Sequence, residues 1–397
     1  MKINISLLSI AAICLLISGC SNYRELNELG VIIAMGIDHN DDPDNPYKVT
    51  YQVINPSGLA QTSTSGDKGL AVINYTVTAK TLVEAFGKAS AIIPRENNIS
   101  HLSMIIIGEK LARNGLDLLF DTVDRGKNQR VSVPIYIARG KTAEYMLGVI
   151  EPLENTPGKN IISTTKSEQN DYGTTNDALL YEVISALMSE GKDVSLPGIS
   201  IRNDSKKAKE ISNFETTAPA YVEAKGLALF RKGKMVKWLD GESARGVQFV
   251  TSELKRTEVV MPCSEKGSAT ITVIRAKSKM KTKIKNEKPV IQSNLNVMGE
   301  MMQTSCELDL SDPKLLIEFE KKVENDLKKQ IKKTISITQK ERSDIFGFGD
   351  ALSRTNPDYW RKHKNNWDDL FSEAEISMKV NVHIINSGMR MEPYKPK

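Results

Sequence analysis

Apolar and polar positions along the first half of the chain switch repeatedly between a strand period and a helix period. The run Leu29 to Ile37, LGVIIAMGI, is almost wholly apolar, the pattern of a central strand buried on both faces. It ends in the turn-rich HNDDPDNP. Tyr47, Val49, Tyr51 and Val53 then alternate with polar residues as a half-buried strand, and a Ser/Gly/Thr loop from Pro56 to Gly69 leads to a second strand through Tyr75 and Val77. Thr81 and Glu84 make a capping box ahead of Leu82, Ala85, Phe86, Ala89 and Ile93, which predicts an amphipathic helix stopped by Pro94. Leu102 to Ile107 predicts a strand, Glu109 to about Val123 a helix, and Val131, Val133, Ile135 and Ile137 another strand. This succession describes an α/β or α+β domain with a mixed sheet. Glu151 to Gly173, rich in Pro, Gly, Asn, Ser and Thr, reads as a long loop. A helix through Leu180, Val183, Ile184 and Leu187 follows, and polar Lys206 to Glu210 begins the connector that sets the main boundary near residue 210.

The second half opens with the hairpin LALFRKGKMVKWL, turning at Lys232-Gly233, and a short helix after Asp240. Its centre is a long hairpin: Ala269 to Lys285 turns through Asn286-Glu287-Lys288 into Val290 to Met302, with Ile291, Leu295, Val297 and Met301 facing one way. Lys277, Lys279, Lys281, Lys283 and Lys285 share one face, with Ala276, Met280 and Ile284 on the other. Such a row is either a solvated guard against edge pairing or a surface drawn to anionic lipid. Asp312 caps a long helix with Pro313 at its first position and a stripe of Leu316, Phe319, Val323, Leu327, Ile331 and Ile335. The last strand alternates Ile376, Met378, Val380, Val382 and Ile384 inward with Glu375, Ser377, Lys379, Asn381 and His383 outward. The fold expected is α+β (mixed α/β) and multi-domain, with mixed and antiparallel sheets packed with helices. An N-terminal α/β domain of one or two subdomains occupies 20–210, and a C-terminal α+β domain 211–397.

The extreme N-terminus changes the picture. Lys2, an apolar run from Ile5 to Ile17 too short to span a bilayer, and Ile17-Ser18-Gly19-Cys20 form a signal peptide with a lipobox. Residues 1–19 are expected to be cleaved and Cys20 to carry the lipid, leaving 397 − 19 = 378 residues, enough for two or three domains. No later stretch of about 18 apolar residues follows, so the anchor is expected to be the lipid. The net charge of +5, or +4 without Lys2, does not indicate nucleic-acid binding. Export leaves Cys263 and Cys306 where a disulfide is allowed. A hairpin centred on residues 286–287 sets Cys306 opposite roughly residue 267, near Cys263; a bridge and two unpaired buried thiols both remain open.

Catalytic patterns are missing. There is no phosphate loop, no nucleophile elbow and no metal-spaced Cys/His set; the four histidines, His39, His101, His363 and His383, are far apart in sequence. Asp38, Asn40 and Asp42 start an EF-hand spacing, but Pro43 stands where the glycine belongs and Val49 where the closing glutamate belongs. Gly347 and Gly349 in IFGFGD begin a dinucleotide pattern that lacks its third glycine. Asp368-Asp369 is an acidic pair that nothing in the sequence puts in a cleft. No cofactor or metal is expected.

Three long motifs remain: SGCSNYRELNELGVIIAMGID after the lipobox, KGLALFRKGKMVKWLDGESARG, and DIFGFGDALSRTNPDYWRKHKNNWDDLF from 344 to 371. With them the chain resembles the Ger(x)C family, the C subunits of spore germinant receptors, over essentially its whole mature length. The resemblance implies a non-enzymatic lipoprotein on the outer face of the cytoplasmic (inner spore) membrane, built of several α/β domains. It also implies two partners, a transporter-like membrane subunit and a second membrane subunit with large soluble domains. One departure is Ser21-Asn22 in place of the family's usual Trp-Asp after the lipidated cysteine, which bears on contacts close to the anchor. The segment 344–371 concentrates the residue types that dominate interfaces, with Arg354, Tyr359, Trp360, Arg361 and Trp367 as the candidate partner surface. Phe346, Phe348, Trp360, Trp367 and Phe371 read as core aromatics ahead of contact residues, since aromatics contribute large buried areas. An exported solute-binding or cell-wall-active lipoprotein is the alternative function, and it requires a ligand pocket or a catalytic acid.

Overall fold

The apolar run near the start of the chain becomes the centre of a large sheet. A computed structural model describes residue 25 and residues 28–59, 70–117, 130–151, 153–154, 156–263, 267–306 and 312–386. Among these, nine strands form the first sheet: β1 (Leu29–His39), β2 (Tyr47–Ile54), β3 (Val72–Ala79), β4 (Glu96–Asn98), β5 (Met104–Gly108), β6 (Ile135–Ala138), β7 (Ser195–Arg202), β8 (Tyr221–Arg231) and β9 (Lys234–Leu239). Their order is β3-β2-β1-β5-β6-β7-β8-β9, with β4 beside β1. The strands β1, β5, β6 and β7 run parallel, and antiparallel strands flank them on both sides. The sheet is therefore mixed, and it continues past residue 210, because the hairpin β8–β9 pairs with β7.

Both faces of this sheet are covered, which is why its middle strands are continuously apolar. Ile32, Ile37, Ile105 and Ile107 enter one buried cluster, and Ala34, Met104 and Ile106 enter another on the opposite face. The first cluster receives α1 (Leu82–Ala89), capped by Thr81, and α2 (Glu109–Asn114). The second receives α3 (Ala143–Gly148) and α4 (Pro157–Asp171); α5 (Leu180–Met188) returns to the first. Helix α2 stops at Asn114, where Gly115 takes a φ of 138°; the expected continuation from residue 118 lies outside the described residues.

Helix α4 corrects one expectation, for Glu151 to Gly173 is not a long loop. Pro157 starts the helix at a position where a missing N–H costs nothing. Its buried face is made of Gly158, Asn160, Ile161, Thr165 and Gln169, which leaves no apolar stripe to read. Thr165 satisfies its own hydroxyl within the fold, bonding Ile161 O at 2.8 Å and Tyr136 Oη at 3.1 Å.

The second sheet has the order β10-β11-β12-β13: β10 (Thr257–Pro262), β11 (Ser268–Lys285), β12 (Lys288–Thr304) and β13 (Glu375–Asn386). Asn286 and Glu287 both take positive φ, 50° and 60°, as a two-residue turn between right-twisted strands requires. One face packs on α6 (Gly241–Thr251) and α7 (Pro313–Lys340), where Phe319, Val323, Leu327, Ile331 and Ile335 join Ile291, Leu295, Val297 and Met301 in one core. The two helices cross at Gly246, where a Cβ would lie 2.1 Å from Thr334 Oγ1. The free edge of β13 is closed by α7, whose Glu324 and Glu320 accept from Val382 N at 3.0 Å and Ile384 N at 2.8 Å. Three short helices lie between α7 and β13: α8 (Phe348–Thr355), α9 (Pro357–His363) and α10 (Trp367–Glu373).

Candidate functional site

The third motif folds around one carboxylate. Asp344 is 2% exposed, and its Oδ1 accepts from Gly347 N at 3.0 Å and Phe348 N at 3.1 Å. Its Oδ2 accepts from Gly349 N at 2.8 Å and from Trp367 Nε1 at 3.0 Å. Three consecutive amides can converge on it because Gly347 is left-handed, at φ 75°. Gly349 meets a tighter limit: a Cβ there would stand 2.7 Å from both Gly191 Cα and Trp367 Nε1. The glycines of IFGFGD thus shape a loop around a side chain and leave no phosphate cradle.

That loop holds the first sheet to the second. Asp193, just before β7, donates its amide to Asp344 O at 2.8 Å and accepts from Asp344 N at 3.0 Å and Lys232 N at 2.9 Å. Ser189 Oγ donates to Asp350 Oδ1 at 2.7 Å, and Asp350 N donates to Gly191 O at 3.2 Å. Ion pairs ring the seam: Asp368 receives Arg231 at 3.1 Å and Lys232 at 3.2 Å, and Lys364 reaches Glu190 at 2.9 Å. A cleft of about 370 Å³ opens here, lined by Glu190, Lys192, Lys232, Lys364 and Asp368 among others. Burial pushes the Asp344 carboxyl up to about 7 against the pull of its amide donors. Burial likewise raises half-buried Asp193 to about 6, with the Asp368 charge adding to it.

The candidate partner residues divide by exposure. Trp367 is not a surface residue: it is 3% exposed, bonded to Asp344 and in edge contact with Trp360 at 5.4 Å between centroids. Its ring is part of the core because the indole N–H supplies the fourth donor that the Asp344 carboxylate requires. Phe346, Phe348 and Phe371 are buried with it. Tyr359 is half-buried, donates to Glu287 O at 2.7 Å and stacks on His363, and Trp360 is half-buried. Arg354 and Arg361 are exposed, Arg361 pairing with Asp358. Cys263 and Cys306 lie within bridging distance of each other, Cα atoms 6.2 Å apart. Cys20 lies outside the described residues. Asp38, considered above for calcium, is buried and caps α3, accepting from Ala143 N at 2.8 Å and Glu144 N at 2.9 Å.

Neither Asp344 nor Asp193 was singled out by the sequence. The signal for Asp344 was present, an Asp three to five residues ahead of the amides of a Gly-Phe-Gly, which is the spacing of a local side-chain cap. Asp193 and Gly191 act through a contact more than 150 positions away and left no local signature.

Residues 22–201 match the family described as "Spore germination protein N-terminal domain", and residues 225–388 match "Spore germination B3/ GerAC like, C-terminal". The chain belongs to the Ger(x)C family of germinant-receptor C subunits. Spore germination protein KC of Bacillus subtilis (strain 168) is 29% identical over 389 residues, 96% of this chain and 95% of that one. Spore germination protein B3 of the same organism is 26% identical, covering 98% of each chain. The crystal structure of the GerBC protein shares the fold, with a TM-score of 0.52 at 21% identity over 92% of this chain and 100% of that one. In this Ger(x)C chain the motif at 344–371 is the seam between the two sheets, with α8 and α9 on its outer side.

Proposed function

We propose that the chain is held on the outer face of the inner spore membrane by a lipid on Cys20 and acts there as an assembly subunit of a germinant receptor, without catalysing a reaction. Its partners in this reading are the transporter-like membrane subunit and the second membrane subunit. The observation that carries it is the use made of Asp344. Its burial and raised pKa mark it as a functional-site candidate, yet its two oxygens already accept four N–H donors from its own fold. A carboxylate so engaged holds two sheets in register and is unavailable as a general acid or base. Glu190, Lys232, Lys364 and Asp368 in the neighbouring cleft are likewise drawn into ion pairs across the seam. What the motif offers outward is the exposed side of α8 and α9, with Arg354 and Arg361 beside half-buried Tyr359 and Trp360.

Arg354→Glu with Arg361→Glu tests the surface. Exposed substitutions of this kind shift stability by only about 0.5 kcal/mol, so the double variant should melt with the parent while recovering less of the membrane subunits from spore membranes. Unchanged recovery would remove this surface from the assembly.

A further inference from the structure

The outer face of the second sheet carries a row of charge of one sign. Lys277, Lys279, Lys281, Lys283 and Lys285 on β11 are all exposed. Register sets Lys277 opposite Asn296, Lys279 opposite Asn294, Lys281 opposite Gln292, Lys283 opposite Val290 and Lys285 opposite Lys288. One strand further, Lys379 lies beside Asn294 and Asn381 beside Asn296, and the one acidic residue in this stretch, exposed Glu375, lies at the hairpin end beside Val290. The middle of the face is uncharged amide, tied together by Asn381 Nδ2, which donates to Asn294 Oδ1 at 2.8 Å and Asn296 Oδ1 at 2.9 Å. Among the described residues Lys288 pairs with Glu373 at the hairpin end, whereas the five row lysines stand in no ion pair.

Alternate residues of a strand are about 6.8 Å apart, so the row runs on the order of 27 Å. Each charge lies within a Debye length of the next, and the repulsion has no acidic residue on β11 to offset it. Strand β10 pairs with β11 only from Ser268 to Val273, so the lysine segment has no strand on that side, where Ser252 Oγ accepts from Ser278 N at 2.7 Å and donates to Ser278 O at 3.3 Å. Lysines on such an edge guard it against pairing, and five in a line also form a surface for a planar anion. Helix α7, the other lysine-rich element, differs in carrying Glu318, Glu320, Glu324 and Asp326 among its lysines.

We infer that this face rests on anionic lipid headgroups, orienting the anchored chain on its membrane. The complementarity is of charge and shape: a straight cationic row on one face of an extended strand, beside neutral amides. The inference rests on the proposed lipid anchor for the presence of a membrane, and its test leaves the anchor out.

The chain from Cys20 onward, produced without its leader and so unacylated, is sedimented with vesicles of phosphatidylcholine alone or with phosphatidylglycerol. Binding should require phosphatidylglycerol and weaken with salt. Each lysine near an anionic surface strengthens binding several-fold, so Lys279→Gln, Lys281→Gln and Lys283→Gln together should lower it by on the order of 100-fold. The corresponding arginine variants should retain it. Lys321→Gln, Lys328→Gln and Lys332→Gln on α7 remove the same net charge and should change it little. Equal loss from the two glutamine sets, loss in the arginine set, or no loss in the strand set overturns the assignment. So would vesicle binding that survives the strand set while recovery of a membrane subunit fails, an outcome that puts an acidic protein on this face. Fatty-acid labelling of Cys20 in the full chain is read separately, so failure here and failure of the anchor are distinct results.

Discussion

Asp344 is a buried carboxyl held by three backbone amides and an indole N–H. Asp344→Ala would leave those four donors without an acceptor, and each buried unsatisfied group costs about 1–3 kcal/mol. A loss of roughly 3 kcal/mol or more is therefore expected in denaturant unfolding. Its pKa also sets a pH dependence. A carboxyl whose folded value is raised contributes stability that is fully present below its unfolded value, near 3.8, and lost as pH rises through the folded value, about 7. Asp193, raised to about 6, acts in the same direction. The parent should thus lose part of its stability between pH 4 and pH 7, and Asp344→Asn should flatten that slope while lowering stability throughout. A slope unchanged in the asparagine variant would show that Asp344 titrates normally. Trp367→Ala removes both a donor to Asp344 and a buried ring, and a loss of about 3–5 kcal/mol is expected in the same measurement; a variant that melts with the parent would return Trp367 to the surface.

At the scale of elements, strong periodicity was legible and weak periodicity was not. The last strand, the long hairpin and α7 announce themselves because one face of each is apolar at a regular spacing. Helix α4 was missed because it buries Gly, Asn, Thr and Gln against the sheet. The site was half legible. Its aromatics drew attention by composition, but whether Trp367 points in or out depends on Asp344, and the lock through Gly191 and Asp193 depends on a long-range contact. Hairpin register brought Cys263 and Cys306 near one another, and we propose that they form a disulfide in the exported protein. Closing a loop of 43 residues in sequence separation is worth about 2–4 kcal/mol. Alkylation of the unreduced, denatured protein should label neither cysteine, and labelling of both would exclude the bridge.

Across the whole molecule, the two sheets are joined by the polar lock at Asp344 and by an apolar core that Leu227, Leu229 and Leu239 of the first sheet share with the second, and no described helix is long and apolar enough to cross a membrane. The proposed anchor then depends on the thiol of Cys20. Cys20→Ala should abolish metabolic labelling by a fatty acid, and label retained by the alanine variant would place the lipid elsewhere. The central claim, an anchored subunit that works by assembly, is tested most directly by capturing the lipidated chain from detergent-solubilised spore membranes and identifying what comes with it. The account predicts that the transporter-like subunit and the second membrane subunit are recovered together with it. Recovery of the chain alone, from membranes in which both subunits are present and extracted, would contradict it.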